Sequence, residues 1–265
     1  MPIITLTTDF GLQDAYVGAM KGVILSISPE VTIVDISHGI PPQAITQGAF
    51  VLAAAVPYFP EGTVHVVVVD PGVGSQRRPI AVQTPRAIFV APDNGVLTPI
   101  LRSNTSEGTP VTVVHLTRRE YWLPQVSYTF HGRDIFAPVA AYLARGVPIT
   151  SLGEPIDDPV ILDLPQPRRM PDGSLQGQVV YVDQFGNLVT NIPAKWLDRA
   201  VQWQIEVAGQ TVEGLSRTYS DVPGGHLLAL IGSTGALELA VREGNAARTL
   251  GIGVGEPVRV RPASP

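Results

Sequence analysis

The chain has 265 residues, 45% of them hydrophobic and 15% charged, a balance that excludes a disordered polypeptide and can fill one large or two small cores. A formal net charge of −5 argues against nucleic acid and anionic membrane surfaces as partners, because both are gripped by massed Lys and Arg. The absence of cysteine excludes thiolate nucleophiles, disulfides, zinc fingers and iron–sulfur clusters together. Among 18 basic residues only Lys21 and Lys195 are lysines, and there are 25 prolines, a skew expected from selection for rigidity or from genome composition.

The N-terminus enters an apolar strand without a basic leader. The most apolar window, 49–59, is too short to span a bilayer and contains Pro57, so a cytoplasmic location off the membrane is expected. Continuous apolar runs at 3–7, 31–36, 64–69, 87–91 and 111–116 have the pattern of strands buried on both faces. Between them the spacing predicts helices over 15–26, 44–56 and 135–145, the last closed by Gly146. Strand and helix alternating in this way predict a layered α/β domain with a largely parallel central sheet over 1–165. Residues 166–174 are rich in Pro, Arg and Gly and read as a linker. Over 175–265, β-type runs at 178–182, 188–192, 202–207, 227–231, 237–241 and 257–260 predict a small all-β, barrel-like domain, with a hairpin turn at Ala208-Gly209-Gln210.

Acidic residues follow predicted strands at Asp9 and Asp70, and in open α/β sheets ligands bind beyond the carboxyl ends of strands. Asp9 is equally a turn-closing residue, and Asp14 is placed to cap the first helix. Asp70-Pro71-Gly72-Val73-Gly74 is a turn that lets backbone approach a ligand, with Arg77 and Arg78 close behind, but it lacks the Gly-Lys-Ser/Thr ending of a phosphate-binding loop. His131 lies between Phe130 and Gly132 just before a helix, a setting suited to a reactive side chain; His38 has a weaker version of it. His65, His115 and His226 sit in or beside apolar runs and read as structural. No His-x-x-x-His or Glu-x-x-His pair exists, which argues against a classical zinc site, whereas Asp9, Asp70, Asp93 and Asp134 are of the type that binds magnesium. Asp183-Gln184-Phe185-Gly186-Asn187 offers a carboxylate, a ring and an amide, or a plain hairpin turn. Gly232-Ser233-Thr234-Gly235 is a small turn able to hold a carboxylate on its amides.

The order Thr8-Asp9-Phe10-Gly11, Val69-Asp70-Pro71-Gly72-Val73-Gly74 with Arg77, Ala91-Pro92-Asp93-Asn94-Gly95, Thr129-Phe130-His131-Gly132-Arg133-Asp134, Asp183-Gln184-Phe185-Gly186-Asn187, and Ser233 with Leu237-Glu238-Leu239-Ala240-Val241 closely resembles the S-adenosylmethionine (SAM) hydroxide adenosyltransferase family, relatives of the SAM-dependent halogenating enzymes. The resemblance runs nearly end to end. It implies SAM as substrate, adenosine and L-methionine as products, no cofactor and no metal. It also implies a homotrimer whose sites lie between one copy's N-terminal domain and another's C-terminal domain. Carried over residue by residue, Asp70, Arg77 and His131 match the water-activating set and Asp9 the carboxylate on the ribose hydroxyls. Phe130 and Gly132 would line the C5′ region, and Asp183 would receive the methionine ammonium. Phe185 and Asn187 match adenine contacts, Ser233 a contact to the methionine carboxylate, and Glu238 and Val241 the segment flanking the nucleoside. Thr234, Gln43 and Tyr16 depart from the halogenating relatives, and a charged Asp70 in place of a halide pocket favours hydrolysis over halogenation. Two other classes compete: a SAM- or adenosine-binding sensor without turnover, and a metal-dependent phosphohydrolase built on the aspartates.

Overall fold

A computed structural model describes residues 1–106 and 108–263, so the last two residues of the expected C-terminal domain lie outside it. The chain divides into two compact units, Met1–Leu162 and Asp163–Pro265.

The first unit carries strands β1 (Ile3–Thr8), β2 (Thr32–Ser37), β3 (Thr63–Val68), β4 (Pro79–Gln83), β5 (Ala87–Pro92), β6 (Thr112–Leu116) and β7 (Gly153–Pro155). Its helices are α1 (Tyr16–Ile27), α2 (Ile45–Ala55), α3 (Thr98–Ser106) and α4 (Ala137–Ala144). The sheet order is β2-β1-β3-β5-β4-β6-β7, with β2, β1, β3 and β5 parallel and the pairs beyond β5 antiparallel. All six residues of β3 are buried, as its unbroken apolar run predicts. Val64, Val66 and Val68 pack with Met20 and Ile24 of α1 and Ala140 of α4. Val67 faces the other way, toward Leu52 of α2 and Ile100 of α3. Helices therefore cover both faces of the sheet, and two apolar layers sandwich it.

Several local expectations change. The run at 31–36 becomes an edge strand with no buried residue in β2, because nothing pairs beyond it. Asp14 does not cap α1: Ala15 occupies the cap position with no side-chain bond, since the chain bends through 12–15 before the helix starts. Strand β4 and helix α3 carry weak sequence signals; α3 opens on Thr98-Pro99 and ends in Asn104-Thr105-Ser106, all poor helix formers.

The second unit carries β8 (Arg168–Arg169), β9 (Leu175–Val182), β10 (Leu188–Pro193), β11 (Trp203–Val207), β12 (Gln210–Glu213), β13 (Leu227–Ile231), β14 (Ala236–Val241), β15 (Pro257–Pro262) and the short helix α5 (Ala246–Leu250). The strands run β12-β11-β15-β9-β10-β14-β13, all antiparallel, and Ser216 just past β12 donates from its N–H to the Ala229 carbonyl of β13, so the sheet nearly closes on itself. Leu175, Val179, Leu188, Ile205, Leu239 and Val260 fill its interior. Ala208 and Gly209 both have positive φ, as the tight hairpin between β11 and β12 demands. Part of the stretch read as a linker, Arg168–Arg169, pairs with β9 inside this unit. Among the described residues no helix is long and apolar enough to cross a membrane.

His65 is fully buried in β3, its Nδ1 2.8 Å from the Thr5 hydroxyl and its ring stacked on Phe89. Burial pushes its pKa down to about 4, so the fold holds it neutral while the unfolded chain protonates near 6.5. Stability from this group, roughly 3 kcal/mol, is present above pH 6.5 and lost as pH falls toward 4. His65→Leu is expected to flatten the rise of the urea midpoint between pH 4 and 6.5 relative to wild type; an unchanged slope would contradict this assignment.

Candidate active site

The order β2-β1-β3 contains a reversal: from β1 the chain moves to β2 on one side, then crosses to β3 on the other. α1 lies on one face and α2 on the other, so the connections leaving the carboxyl ends of β1 and β2 run to opposite faces, and it is at such a reversal that these sheets bind ligands. Thr8 pairs with Val68, so Asp9 and Asp70 both emerge from this edge.

Asp70 is bound by Arg77, whose Nε lies 3.0 Å from both carboxylate oxygens and whose Nη2 lies 2.5 Å from Oδ2. The side chains of both are more than nine-tenths buried, and the guanidinium also rests on the Phe136 ring, 5.3 Å from its centroid. The same Nη2 lies 2.7 Å from Nδ1 of His131. Arginine can only donate, so Nδ1 is the acceptor and a neutral His131 carries its proton on Nε2. Burial, then the charge of Arg77, lowers the His131 pKa below its ordinary value, which agrees with that neutral form. Asp70, Arg77 and His131 thus form one chain with the arginine in the middle. Arg77 Nη1 has no hydrogen-bond partner among the described residues and remains a free donor.

Two devices hold the histidine segment against the aspartate turn. Gly74 has φ of +77°, and a Cβ there would overlap the Tyr128 carbonyl, so glycine is required for the two loops to meet. Asp134, fully buried, accepts from Ser127 N at 2.8 Å and Arg133 Nε at 2.6 Å, while its own carbonyl accepts from Leu123 N. Burial pushes this carboxyl up, but the bonds from Arg133 and Ser127 outweigh that and hold it below its ordinary pKa. Directly after His131, Gly132–Phe136 forms a π-helical turn in which Ala137 N–H reaches back to the Gly132 carbonyl, a distortion common at functional sites. Phe130, Phe10 and Tyr16 form an aromatic cluster with centroids 5.1 to 5.8 Å apart. The structure therefore brings together Asp70, Arg77, Phe130, His131 and Gly132. Asp9 lies on the neighbouring strand end, its Oδ2 accepting from Gln43 N at 2.8 Å.

Arg78, next to Arg77 in the chain, faces elsewhere. It pairs with Asp93 and Asp158, and Asp93 also accepts from Val160 N, which leaves it a structural latch rather than a ligand. With Asp93 and Asp134 held in this way, the four aspartates do not converge. Among the described residues no group of three or more His, Asp or Glu side chains is arranged to hold a metal ion.

In the second unit the turn between β9 and β10 is organised by Asp183. Its carboxylate accepts from Phe185 N, Asn187 N and Asn187 Nδ2 at 2.8 to 2.9 Å. The hairpin-turn reading of this stretch therefore holds, with the Asp183 carboxylate as the group that organises it. Among the described residues no group donates to Asn187 Oδ1, and the Phe185 ring is exposed. Glu238 is buried, with Oε1 2.6 Å from the Tyr219 hydroxyl that donates to it. Burial raises the Glu238 pKa, and the bond to Glu238 pushes Tyr219 up to about 12. Ser233 is exposed in its turn, whereas the Val241 side chain lies in the interior and offers a ligand only its main chain. Tyr219 and Ser127 escaped the sequence reading, and Asp134 entered it only as a magnesium-type carboxylate, not as the brace it is here. The Thr218–Asp221 capping box marks Tyr219 only as a helix start, and the other two are defined by contacts.

Two family descriptions match this chain: the SAM hydroxide adenosyltransferase N-terminal domain over residues 4–153 and its C-terminal domain over 177–259. The chain belongs to the SAM hydroxide adenosyltransferase family. It is 39% identical to a protein of Salinispora tropica named (R)-S-adenosyl-L-methionine hydrolase, over 98% of this chain and 97% of that one. A Thermus thermophilus protein of the same name is also 39% identical, over 96% and 97%. A crystal structure described as an uncharacterized conserved protein from Thermotoga maritima superposes with a TM-score of 0.88 at 36% identity, covering 98% of this chain and all of that one.

Gly74→Ala is expected to lower stability by more than the ~1 kcal/mol that a positive φ alone imposes on alanine, because the backbone of Tyr128 cannot yield. Gly62→Ala, at φ +80° with nothing near its Cβ, is the control that should lose only that amount. Denaturant midpoints of the two variants compare them directly; equal losses would remove the loop contact as the reason for Gly74.

Proposed function

We propose that this protein hydrolyses S-adenosyl-L-methionine to adenosine and L-methionine by attack of water on C5′ of the ribose. The observation that carries the reading is the buried Asp70–Arg77–His131 chain at the reversal point of the sheet, beside Asp9, in a member of this family. The relatives named as hydrolases support it at 39% identity over nearly their whole length.

The chemistry asks little of an acid. The sulfonium of SAM is cationic, so methionine leaves C5′ as a neutral thioether that takes the bonding pair with it. What the site must supply is an oxygen nucleophile held in line with the C5′–S bond. In this proposal Arg77 Nη1 donates to the water oxygen and stabilises the negative charge it gains. Asp70 accepts the water's hydrogen and, as the C5′–O bond forms, its proton, which then passes to solvent. His131 holds the Arg77 guanidinium through Nδ1 and so fixes the donor's direction. The fixed charge of Asp70 repels a halide and favours water.

Asp9 would take the ribose hydroxyls, Phe185 the adenine face, Asn187 Oδ1 an adenine N–H, Asp183 the methionine ammonium and Ser233 its carboxylate. Phe130 and Gly132 would line the C5′ region, and Glu238, held by Tyr219, would flank the nucleoside. No cofactor enters these steps. The residues fall in both units, which accords with a homotrimer sharing its sites between copies, as the family resemblance implies.

Incubation with SAM in oxygen-18 water should give adenosine labelled at the 5′-hydroxyl, with rates unaffected by EDTA. Unlabelled adenosine would refute attack at C5′, and tight binding without release would mark a sensor. Asp70→Asn and His131→Ala should each cut kcat about 100-fold or more while KM changes far less. Asp183→Asn should mainly raise KM, by about tenfold.

Because burial and Arg77 lower its pKa, His131 keeps its neutral form to a lower pH than an ordinary imidazole, so the acid limb of kcat should lie below 6.5. A limb at or above 6.5 that vanished in His131→Ala would contradict the Nδ1-acceptor assignment.

A further inference from the structure

His38 has no part in the steps above, yet it is buried and makes contacts on both sides of Asp9. Its Nδ1 lies 2.8 Å from the hydroxyl of Thr8, the residue before Asp9. Its carbonyl accepts from the N–H of Gly11, two residues after Asp9, at 2.9 Å. The Thr8 hydroxyl in turn accepts from Phe10 N at 3.2 Å. Behind the imidazole, Nε2 lies 3.1 Å from Asp35 Oδ1, within ion-pair reach although not aligned as a hydrogen bond. Asp35 Oδ2 is 2.5 Å from Lys21 Nζ of α1. The segment that begins at His38 also supplies the amide of Gln43, held at φ +67°, to the Asp9 carboxylate itself. One loop, that following β2, therefore grips the Asp9 turn at Thr8, Asp9 and Gly11, with His38 making the first and last of these contacts.

We propose that His38 is the positioning residue of this site: by holding the Thr8 hydroxyl through Nδ1 and the Gly11 amide through its carbonyl, it sets the direction in which Asp9 meets the ribose hydroxyls of the substrate. The inference rests on the function proposed above and assigns a role to a residue outside the reacting set. The physical reason is directional. A carboxylate binding two vicinal hydroxyls must lie in their plane, and a side chain on a glycine-containing turn keeps such an orientation only if its backbone is tied at both ends. Thr8 is the last residue of β1, wholly buried, so its hydroxyl can be removed without changing the surface. The consequence falls on binding more than on chemistry, because Asp9 touches the nucleoside and not the attacking oxygen.

The test is Thr8→Val, which keeps shape and loses the hydroxyl, beside Thr8→Ser, which keeps the hydroxyl. Thr8→Val should raise both KM for SAM and the calorimetric Kd for adenosine about tenfold, with kcat altered less than about threefold. Thr8→Ser should return both constants to within about threefold of wild type. His38→Asn, whose amide can still meet the Thr8 hydroxyl, should bind adenosine more tightly than His38→Leu. A lower melting temperature with wild-type KM and Kd in Thr8→Val would overturn the positioning role and leave a structural one. A fall in kcat at constant KM would overturn it as well. Wild-type protein that neither bound adenosine nor released it from SAM would instead overturn the functional reading on which the inference rests, a result distinct from a variant that binds as wild type does.

Discussion

The buried pair between Asp70 and Arg77 is the constraint around which the first unit's site is arranged. Two opposite charges taken out of water are tolerated only when geometry and further hydrogen bonds compensate for lost hydration. Here the carboxylate receives both Nε and Nη2, the guanidinium lies on Phe136, and the same Nη2 reaches a neutral histidine. Losing either partner would leave a bare charge in an apolar surrounding. The loops that carry the three residues are therefore held in one arrangement before any substrate arrives.

That arrangement is possible only because two segments far apart in sequence come close. The turn after β3 and the segment before α4 meet where Gly74 passes the Tyr128 carbonyl, and Asp134 braces the second segment from inside. The sheet supplies the platform. Parallel strands put Asp9 and Asp70 on the same edge, and the reversal from β2 to β3 opens a crevice there. An antiparallel pairing of β1 with β3 would have sent one of the two aspartates to the opposite edge.

The second unit works on a smaller scale and by another means. Its Asp183 turn is held by its own carboxylate and backed by α5, because Gly186 packs where any Cβ would collide with Asn245. Asp183, Phe185 and Asn187 are thus parts of a braced turn rather than side chains on a loose loop. Glu238 shows the same economy, since the Tyr219 hydroxyl that orients it also keeps its burial tolerable.

Much of this was legible in the chain itself. The apolar runs marked the parallel strands, the change of rhythm near residue 165 marked a second β-rich unit, and six short motifs in one order marked the family. Those features are local, and local patterns survive in sequence because each residue's neighbours are known. That Arg77 pairs with Asp70 while Arg78 turns to Asp158, that Asp134 reaches Ser127 and that His38 reaches Thr8 are matters of partners 7 to 80 residues away. Only the tertiary structure decides them, because a hydrogen bond or an ion pair depends on distance and direction in space, and the order of residues along a chain specifies neither.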